Sequence, residues 1–218
     1  MTMVVIGGLN MDLAVRVPRL PAPGQTVTGS EALRSPGGKG GNQAVAAARL
    51  GARARMIGMV GDDPFGAELR RNLIAEGVDV AGVGTASGTA TGMALIVVQA
   101  DGENTITLSP GANAVPPPIE VGVADVLLMN LEIPLGASGA VAASDEITCV
   151  EKGFPTEAID TVGAGDAFCA ALAVALGSGV PLATALRRAC AAGALATTRP
   201  GAQSALPTNA EINQLLSR

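Results

Sequence analysis

The chain of 218 residues contains no histidine, no tryptophan and no tyrosine, and it has only three phenylalanines. Without histidine it cannot form a Ser-His-Asp or Cys-His catalytic group, and it lacks the imidazole ligands of most zinc and iron sites. Acid–base chemistry must therefore come from carboxylates or lysine. The net charge of −5 and the scarcity of aromatic rings leave neither a basic surface for phosphates nor rings for stacking bases, so we expect no nucleic-acid partner.

Cysteine is also scarce, and Cys149, Cys169 and Cys190 are odd in number and far apart. This pattern does not predict a disulfide framework, and it fits a reducing compartment. The stretch 167–186 has no charged residue and is long enough for a bilayer span, but the turn sequence from Gly177 to Pro181 breaks it into two helices. No basic region precedes the apolar start at Met3, as a signal peptide requires. We expect a cytoplasmic protein with no membrane partner.

Apolar residues make up 48% of the chain, which is enough to bury one sizeable core. Short apolar segments typical of buried parallel strands are found at 3–8, 55–60 and 125–131. They alternate with helix signals at about 41–50, 63–76, 164–176, 182–198 and after Thr208. The alternation predicts an α/β fold, a three-layer αβα sandwich around a mainly parallel sheet.

Two regions carry instead the alternating pattern of half-exposed antiparallel strands. In the first, 13–15 and 25–28 are separated by proline and glycine; in the second, 93–99 and 105–109 flank the hairpin signal Asp101-Gly102. We interpret both as parts of a small β lid, formed by residues 12–34 and 92–110. The αβα core would then consist of residues 1–11, 35–91 and 111–218.

The most informative motif is the segment from Asp160 to Asp166, in which small residues open a helix. Backbone N–H groups at a helix start bind anions, and glycine allows a phosphate to approach them closely. A carboxylate at Asp166 would repel a phosphate, but it can accept the proton of an attacking hydroxyl. Taken alone, the segment is better explained by a capping aspartate beside a tight turn.

A second polar cluster makes the chemical interpretation stronger. The segment from Gly37 to Asn42 precedes a helix, and Asn10 and Asp12 follow the first strand. Polar groups beyond strand ends are where an open α/β sheet binds its ligand. The spacing to Lys39 does not match a Walker P-loop. Hydroxyl recognition fits better, with Asp12 and Glu132 accepting, Lys39 donating, and Asn42 doing both.

These segments resemble those of ribokinases in the PfkB family of carbohydrate kinases. The similar segments extend over both ends of the chain: 10–12, 23–26, 37–42, 61–66, 111–113, 130–132 and 160–166. The resemblance implies ATP-dependent phosphorylation of the terminal hydroxyl of D-ribose to ribose 5-phosphate, with ATP, magnesium and potassium as cofactors.

The resemblance also assigns residues. It implies that Asp166 is the catalytic base and that an anion hole forms from Gly163, Ala164 and Gly165. The residues implied for sugar binding are Asn10, Asp12, Gly38, Lys39, Asn42, Glu132 and Asp166. The residues implied for potassium are Asp160, Val162, Ala196, Arg199 and Gly201. The resemblance further implies a homodimer formed through the β lid.

The chain departs from this family in its middle, near residues 134–139. Ribokinases continue there through further βα units, which include an Asn-x-x-Glu element that helps to organise magnesium and phosphates. Three readings stay open: an active ribokinase, a non-catalytic sugar-binding remnant or pseudokinase, and an ordinary kinase whose natural sequence has no such gap. If the chain is this short, apolar faces lose their cover, and we expect low stability as a monomer.

Overall fold

The computed structural model describes residues 1–115, 117, 124–129, 139–143 and 148–217. The strands in this part of the chain are β1 (Thr2–Ile6), β2 (Asn10–Val17), β3 (Leu33–Gly37), β4 (Arg53–Gly61), β5 (Asp79–Ala86), β6 (Gly92–Gln99), β7 (Asn104–Ser109), β8 (Val126–Met129), β9 (Gly139–Ala143) and β10 (Thr148–Lys152). The helices are α1 (Lys39–Arg49), α2 (Pro64–Ala75), α3 (Ala164–Gly177), α4 (Leu182–Ala196) and α5 (Asn209–Leu216). The supposed gap at 134–138 lies outside the described residues.

A parallel sheet in the order β5-β4-β1-β8 forms the centre of the molecule. Met3, Val4 and Val5 of β1 are at most 1% exposed, as expected of a strand buried on both faces. Alternate residues of β1 and β4 share one hydrophobic core with α1, α2, α3 and α4. The α/β fold with a mainly parallel sheet is therefore confirmed, and β9 pairs with β10 in a separate antiparallel ribbon.

A second sheet, which we call the lid, has the order β3-β2-β6-β7. The predicted hairpin of β6 and β7 is present, with Gly102 at φ 95° in its turn. The prediction for the first lid region was wrong in one respect: β2 pairs with Leu33–Gly37, and residues 25–28 form no strand. Gly24, at φ 79°, precedes the unpaired segment 25–28, whereas the paired segment Leu33–Gly37 ends two residues before α1 begins.

Two helices, α2 and α5, begin at side-chain caps. Asp63 caps α2 by accepting the N–H of Gly66 at 2.8 Å, and Thr208 with Glu211 forms a capping box at α5. Helix α4 ends at Ala196, two residues earlier than predicted, since Pro200 has no N–H to continue the ladder. No helix in the described ranges is long and apolar enough to cross a membrane.

Hydrogen bonds of Asn113 and a close backbone contact of Gly38 join the lid to the core. Asn113 donates to the carbonyl of Leu9 at 3.1 Å and to Oδ1 of Asn10 at 2.7 Å, and it accepts the N–H of Leu9 at 2.9 Å. A Cβ on Gly38, which has φ 82°, would lie 2.6 Å from the carbonyl oxygen of Gly8. Only glycine permits this conformation and this approach. These contacts therefore fix Asn10, at the start of β2, relative to the core.

Candidate active site

Asp166 lies at the third position of α3, just after the glycine turn that begins the helix. Gly163 precedes the helix with φ 81°, a left-handed conformation that favours glycine. The side chain of Asp166 is 8% exposed. The sequence thus places a carboxylate at a helix start and the fold buries it there, which is an unusual position for a charge that has no function.

Two neighbouring amides of α1 hold this carboxylate. Nδ2 of Asn42 donates to Oδ2 of Asp166 at 3.0 Å, and Nε2 of Gln43 donates to Oδ1 at 3.1 Å. Burial raises the pKa of Asp166, while these two hydrogen bonds and the positive charge of Lys39 lower it in part. The net result is a pKa above the ordinary value for aspartate, which suits a proton acceptor.

Asp12 provides a second buried carboxylate beside the first. It is 7% exposed, and within the described part of the chain no group donates a hydrogen bond to it. Burial, followed by the negative charge of Asp166, raises the pKa of Asp12 to about 7. A Cβ on Gly37 would lie only 2.0 Å from its Oδ2. Asp12 is therefore packed against backbone and left with unused acceptor capacity for a ligand.

Of the other residues predicted for sugar binding, Asn10 shares β2 with Asp12, and Gly38 and Lys39 begin α1, which carries Asn42. Lys39 is exposed at the first position of α1, and its charge acts on Asp166. Gly38 caps the same helix, and Asn10 is held by Asn113. Because Oδ1 of Asn10 already accepts from Asn113, its Nδ2 group is the end left to donate to a ligand. Glu132 lies outside the described residues.

The predicted anion hole has an open side. A Cβ built on Gly165 would meet no atom within 4 Å, so space adjoins the first turn of α3. The N–H of Ala164 instead turns back to the carbonyl oxygen of Thr161 at 3.3 Å. Helix-start N–H groups attract anions, and within the described part of the chain the N–H of Gly165 bonds to no backbone carbonyl, whereas that of Ala167 bonds to the carbonyl oxygen of Gly163 at 2.9 Å.

Three of the five residues predicted for potassium are joined through Asp160. Its two carboxylate oxygens accept the N–H of Val162 at 3.0 Å and the N–H of Gly201 at 2.9 Å. Ala196 is fully buried at the end of α4, and its carbonyl oxygen lacks the usual helical donor because residue 200 is proline. Arg199 forms an ion pair with Glu211 at 3.1 Å, so its own candidate ligand is the backbone carbonyl.

Gln43 is the member of the site that the sequence analysis missed. Consecutive helical residues point about 100° apart, so a sequence pattern assigns Asn42 and Gln43 to different neighbours. In the fold they instead reach the two oxygens of one carboxylate. The described ranges contain no cluster of three His, Cys, Asp or Glu side chains able to hold a metal ion.

Comparison with known sequences agrees with this geometry. The family model "pfkB family carbohydrate kinase" matches residues 2–130 and 125–209. The ribokinase of Bacillus subtilis (strain 168) is 33% identical over 289 residues, covering 98% of this chain and 98% of that protein. The ribokinase of Haemophilus influenzae is 29% identical, covering 99% and 98%. The first alignment is 71 positions longer than the chain itself, 289 against 218.

Solved structures show the same fold. Ribokinase from Cryptococcus neoformans var. grubii in complex with ADP has a TM-score of 0.87 at 22% identity, covering 98% of this chain and 99% of that one. Arabidopsis thaliana ribokinase complexed with ribose and ATP has a TM-score of 0.85 at 24% identity, covering 100% and 99%. At these sequence identities the solved structures establish the fold alone. The family match and the Bacillus relative also establish the class of function. The chain belongs to the pfkB family of carbohydrate kinases, and it is a sugar kinase.

Proposed function

We propose that this protein transfers the γ-phosphoryl group of ATP to the terminal hydroxyl of D-ribose and forms ribose 5-phosphate. The observation that carries the proposal is the buried carboxylate of Asp166 at the start of α3, held at both oxygens by amides of α1. It combines a proton acceptor of raised pKa with the anion-attracting end of a helix.

In this reaction Asp166 accepts the proton of the sugar hydroxyl as the hydroxyl oxygen attacks the γ-phosphorus. The bond from that phosphorus to the bridging oxygen breaks, and ADP leaves with the electron pair. Phosphoryl transfer needs positioning and charge stabilisation more than covalent chemistry. The N–H of Gly165 would stabilise the charge on the transferring phosphoryl group, and those of Gly163 and Ala164 would join it once the N–H of Ala164 leaves the carbonyl oxygen of Thr161.

The sugar would bind on the lid side of this carboxylate. Asp12 and Glu132 would accept hydrogen bonds from the sugar hydroxyl groups. Lys39, and Asn10 through its Nδ2 group, would donate hydrogen bonds to the sugar oxygens. Gly38 keeps the backbone close enough for Asn42 to reach the same ligand. The lack of any described donor to Asp12 supports this role, because a buried carboxylate without partners is costly until a ligand satisfies it.

The choice of ribose and ATP is supported by the relatives named above, which are ribokinases, and by the ribokinase structures solved with ADP or with ribose and ATP. The comparisons lend no support to the non-catalytic alternative. Magnesium would arrive with the phosphates of ATP, since this ion is usually bound through substrate phosphates and few carboxylates. Its protein ligands are not among the residues assigned here.

A potassium ion would bind through oxygens of Asp160, Val162, Ala196, Arg199 and Gly201. The orphaned carbonyl of Ala196 and the two bonds that gather Val162 and Gly201 around Asp160 fit such a site. Oxygen donors suit a hard cation. When bound, the ion would supply positive charge beside the turn that begins α3.

We also propose a cytoplasmic homodimer formed through the lid. Residues paired across the lid share a face, and the face that carries Asp12 continues into Leu33, Ile106 and Leu108. These three side chains are 63%, 49% and 51% exposed. An apolar strip of this kind is typical of a surface that another copy covers.

The decisive experiment measures phosphorylation of D-ribose by the 218-residue chain with ATP, magnesium and potassium, beside Asp166→Asn. We expect product with the parent chain and a loss on the order of 10²–10⁴ in kcat for Asp166→Asn, with sugar binding by calorimetry retained. Equal turnover of the two proteins would rule out Asp166 as the base. Ribose binding without product would favour the sugar-binding remnant.

A further inference from the structure

Gln43 contacts the proposed base Asp166 but takes no part in the sugar site or the anion hole. It lies in the first turns of α1, is 5% exposed, and donates through Nε2 to Oδ1 of Asp166. Burying an amide costs free energy unless it is hydrogen-bonded. The amide N–H group of Gln43 is satisfied by its hydrogen bond to Asp166. Its Oε1 atom has no hydrogen-bond partner among the described residues.

The orientation of both amides follows from the chemistry of the carboxylate. An ionised carboxylate only accepts hydrogen bonds, so Asn42 and Gln43 must present their N–H₂ ends to Asp166. This leaves Oδ1 of Asn42 and Oε1 of Gln43 buried and without described partners. The arrangement therefore favours the N–H bonds to Asp166 at the expense of two amide oxygens, as expected where the carboxylate must stay ionised.

The two amides differ in what else they are assigned to do. Asn42 belongs to the proposed sugar site, so a bound sugar competes for its side chain and can release Oδ2 of Asp166. Gln43 has no such competing assignment, and its bond to Oδ1 can persist through the reaction. One oxygen would then stay anchored while the other becomes available for the proton of the sugar hydroxyl.

We propose that Gln43 is a positioning residue for phosphoryl transfer: it anchors Oδ1 of Asp166 and keeps the carboxyl group ionised, so that Oδ2 can accept the proton. This inference rests on the proposed function of Asp166. The other titratable groups that face Asp166 are Asp12 from β2, Lys39 from α1 and Cys169 one turn along α3. Burial and the charge of Asp166 raise the pKa of the Cys169 thiol, so it remains a neutral neighbour.

The test is Gln43→Met, which keeps the length of the side chain and removes the donor. The free energy of a hydrogen bond to a charged group corresponds to a factor of about 10 to 100 in a rate constant. We expect kcat to fall by about that factor at neutral pH, while KM for ribose changes little. The acid limb of the kcat–pH profile should move to higher pH, because the carboxyl group loses a bond that favours its ionised form.

Gln203→Met is the matched control. Gln203 is also buried, at 6% exposure, and its Oε1 accepts from Asn72 at 2.6 Å, but no described bond joins it to Asp166. The control should leave the acid limb in place. Gln43→Asn, which is too short to reach Oδ1, should shift the limb as Gln43→Met does, and it replaces that variant if Gln43→Met does not fold.

The outcomes separate this inference from the proposed function. If the parent chain is active and Asp166→Asn is not, an unmoved acid limb in Gln43→Met, or a raised KM at unchanged kcat, overturns the positioning role alone. If the parent chain makes no product, the proposed function fails. In that case NMR titration of ¹³C-labelled aspartate still decides: we expect a higher pKa for Asp166 in Gln43→Met, and an unchanged pKa refutes the inference.

Discussion

The buried carboxylate of Asp12 should make the protein less stable as the pH rises through neutrality. Its pKa rises from an ordinary 3.8 to about 7 through burial and the charge of Asp166. Between these two values the folded protein binds more protons than the unfolded chain, so the free energy of unfolding falls with increasing pH. The contribution of Asp12 to the free energy of unfolding is fully present below pH 3.8 and is lost as the pH rises past about 7.

Asp12→Asn removes the charge and keeps the shape, which the close approach of Gly37 requires. A pKa difference of this size corresponds to at most about 4 kcal/mol, since each pH unit is about 1.4 kcal/mol. Without sugar, urea denaturation should therefore find Asp12→Asn more stable than the parent chain at pH 8, and the two alike near pH 4. The variant should also bind ribose poorly.

Asp63→Asn is the control of opposite sign. Burial would raise the pKa of Asp63, but hydrogen bonds from Thr91 and Gly66 lower it below its usual value. Its contribution is present above the unfolded pKa and is lost as the pH falls through the folded one, so Asp63→Asn should destabilise the protein at neutral pH. If the stability curves of Asp12→Asn and the parent chain ran parallel from pH 4 to pH 8, the argument from burial would be refuted.

Three further predictions concern packing and assembly. Gly37→Ala should raise KM for ribose at least tenfold, since its Cβ would collide with Oδ2 of Asp12; an unchanged KM would contradict the role of that contact. Arg49→Met should lower the free energy of unfolding by roughly 1.5–3 kcal/mol in urea, because it removes bonds to Glu76 and to two carbonyls; a smaller loss would mean that these bonds are compensated. Leu108→Glu should give monomers in sedimentation at micromolar concentration, with a lower melting temperature than the parent dimer; dimers in the variant would place the interface elsewhere.

The parts of the fold that depend on local chemistry could be predicted from the sequence. Asp63 and Pro64 mark the start of α2, and Gly163 marks the start of α3, because caps and turns depend on a few consecutive residues. The sequence singles out Asp166 as a candidate base for the same reason. Its chemistry follows from a short segment in which a carboxylate stands at a helix start.

The parts of the fold that depend on long-range pairing could not be predicted from the sequence. Strand β5 was missed because Asp79–Ala86 contains two glycines and few bulky residues, and only pairing with β4 makes it a strand. The strand at Leu33–Gly37 was misplaced because its partner, rather than its own pattern, selects it. Gln43 was missed since its contact lies 123 residues away in the chain.

Hydrogen bonds at the candidate site and around Gln203 join an early and a late part of the chain directly. Asn42 and Gln43 reach Asp166, Asn72 reaches Gln203, and Arg49 donates to the carbonyl oxygens of Gln203 and Leu206. Each of these bonds connects residues before 77 with residues after 160. The length of chain between those two groups is therefore not fixed by the site that they build. Of the residues proposed for catalysis and sugar binding, Glu132 is the one that lies in this intervening chain, so the contacts around Asp166 can be kept while the length of the intervening segment varies.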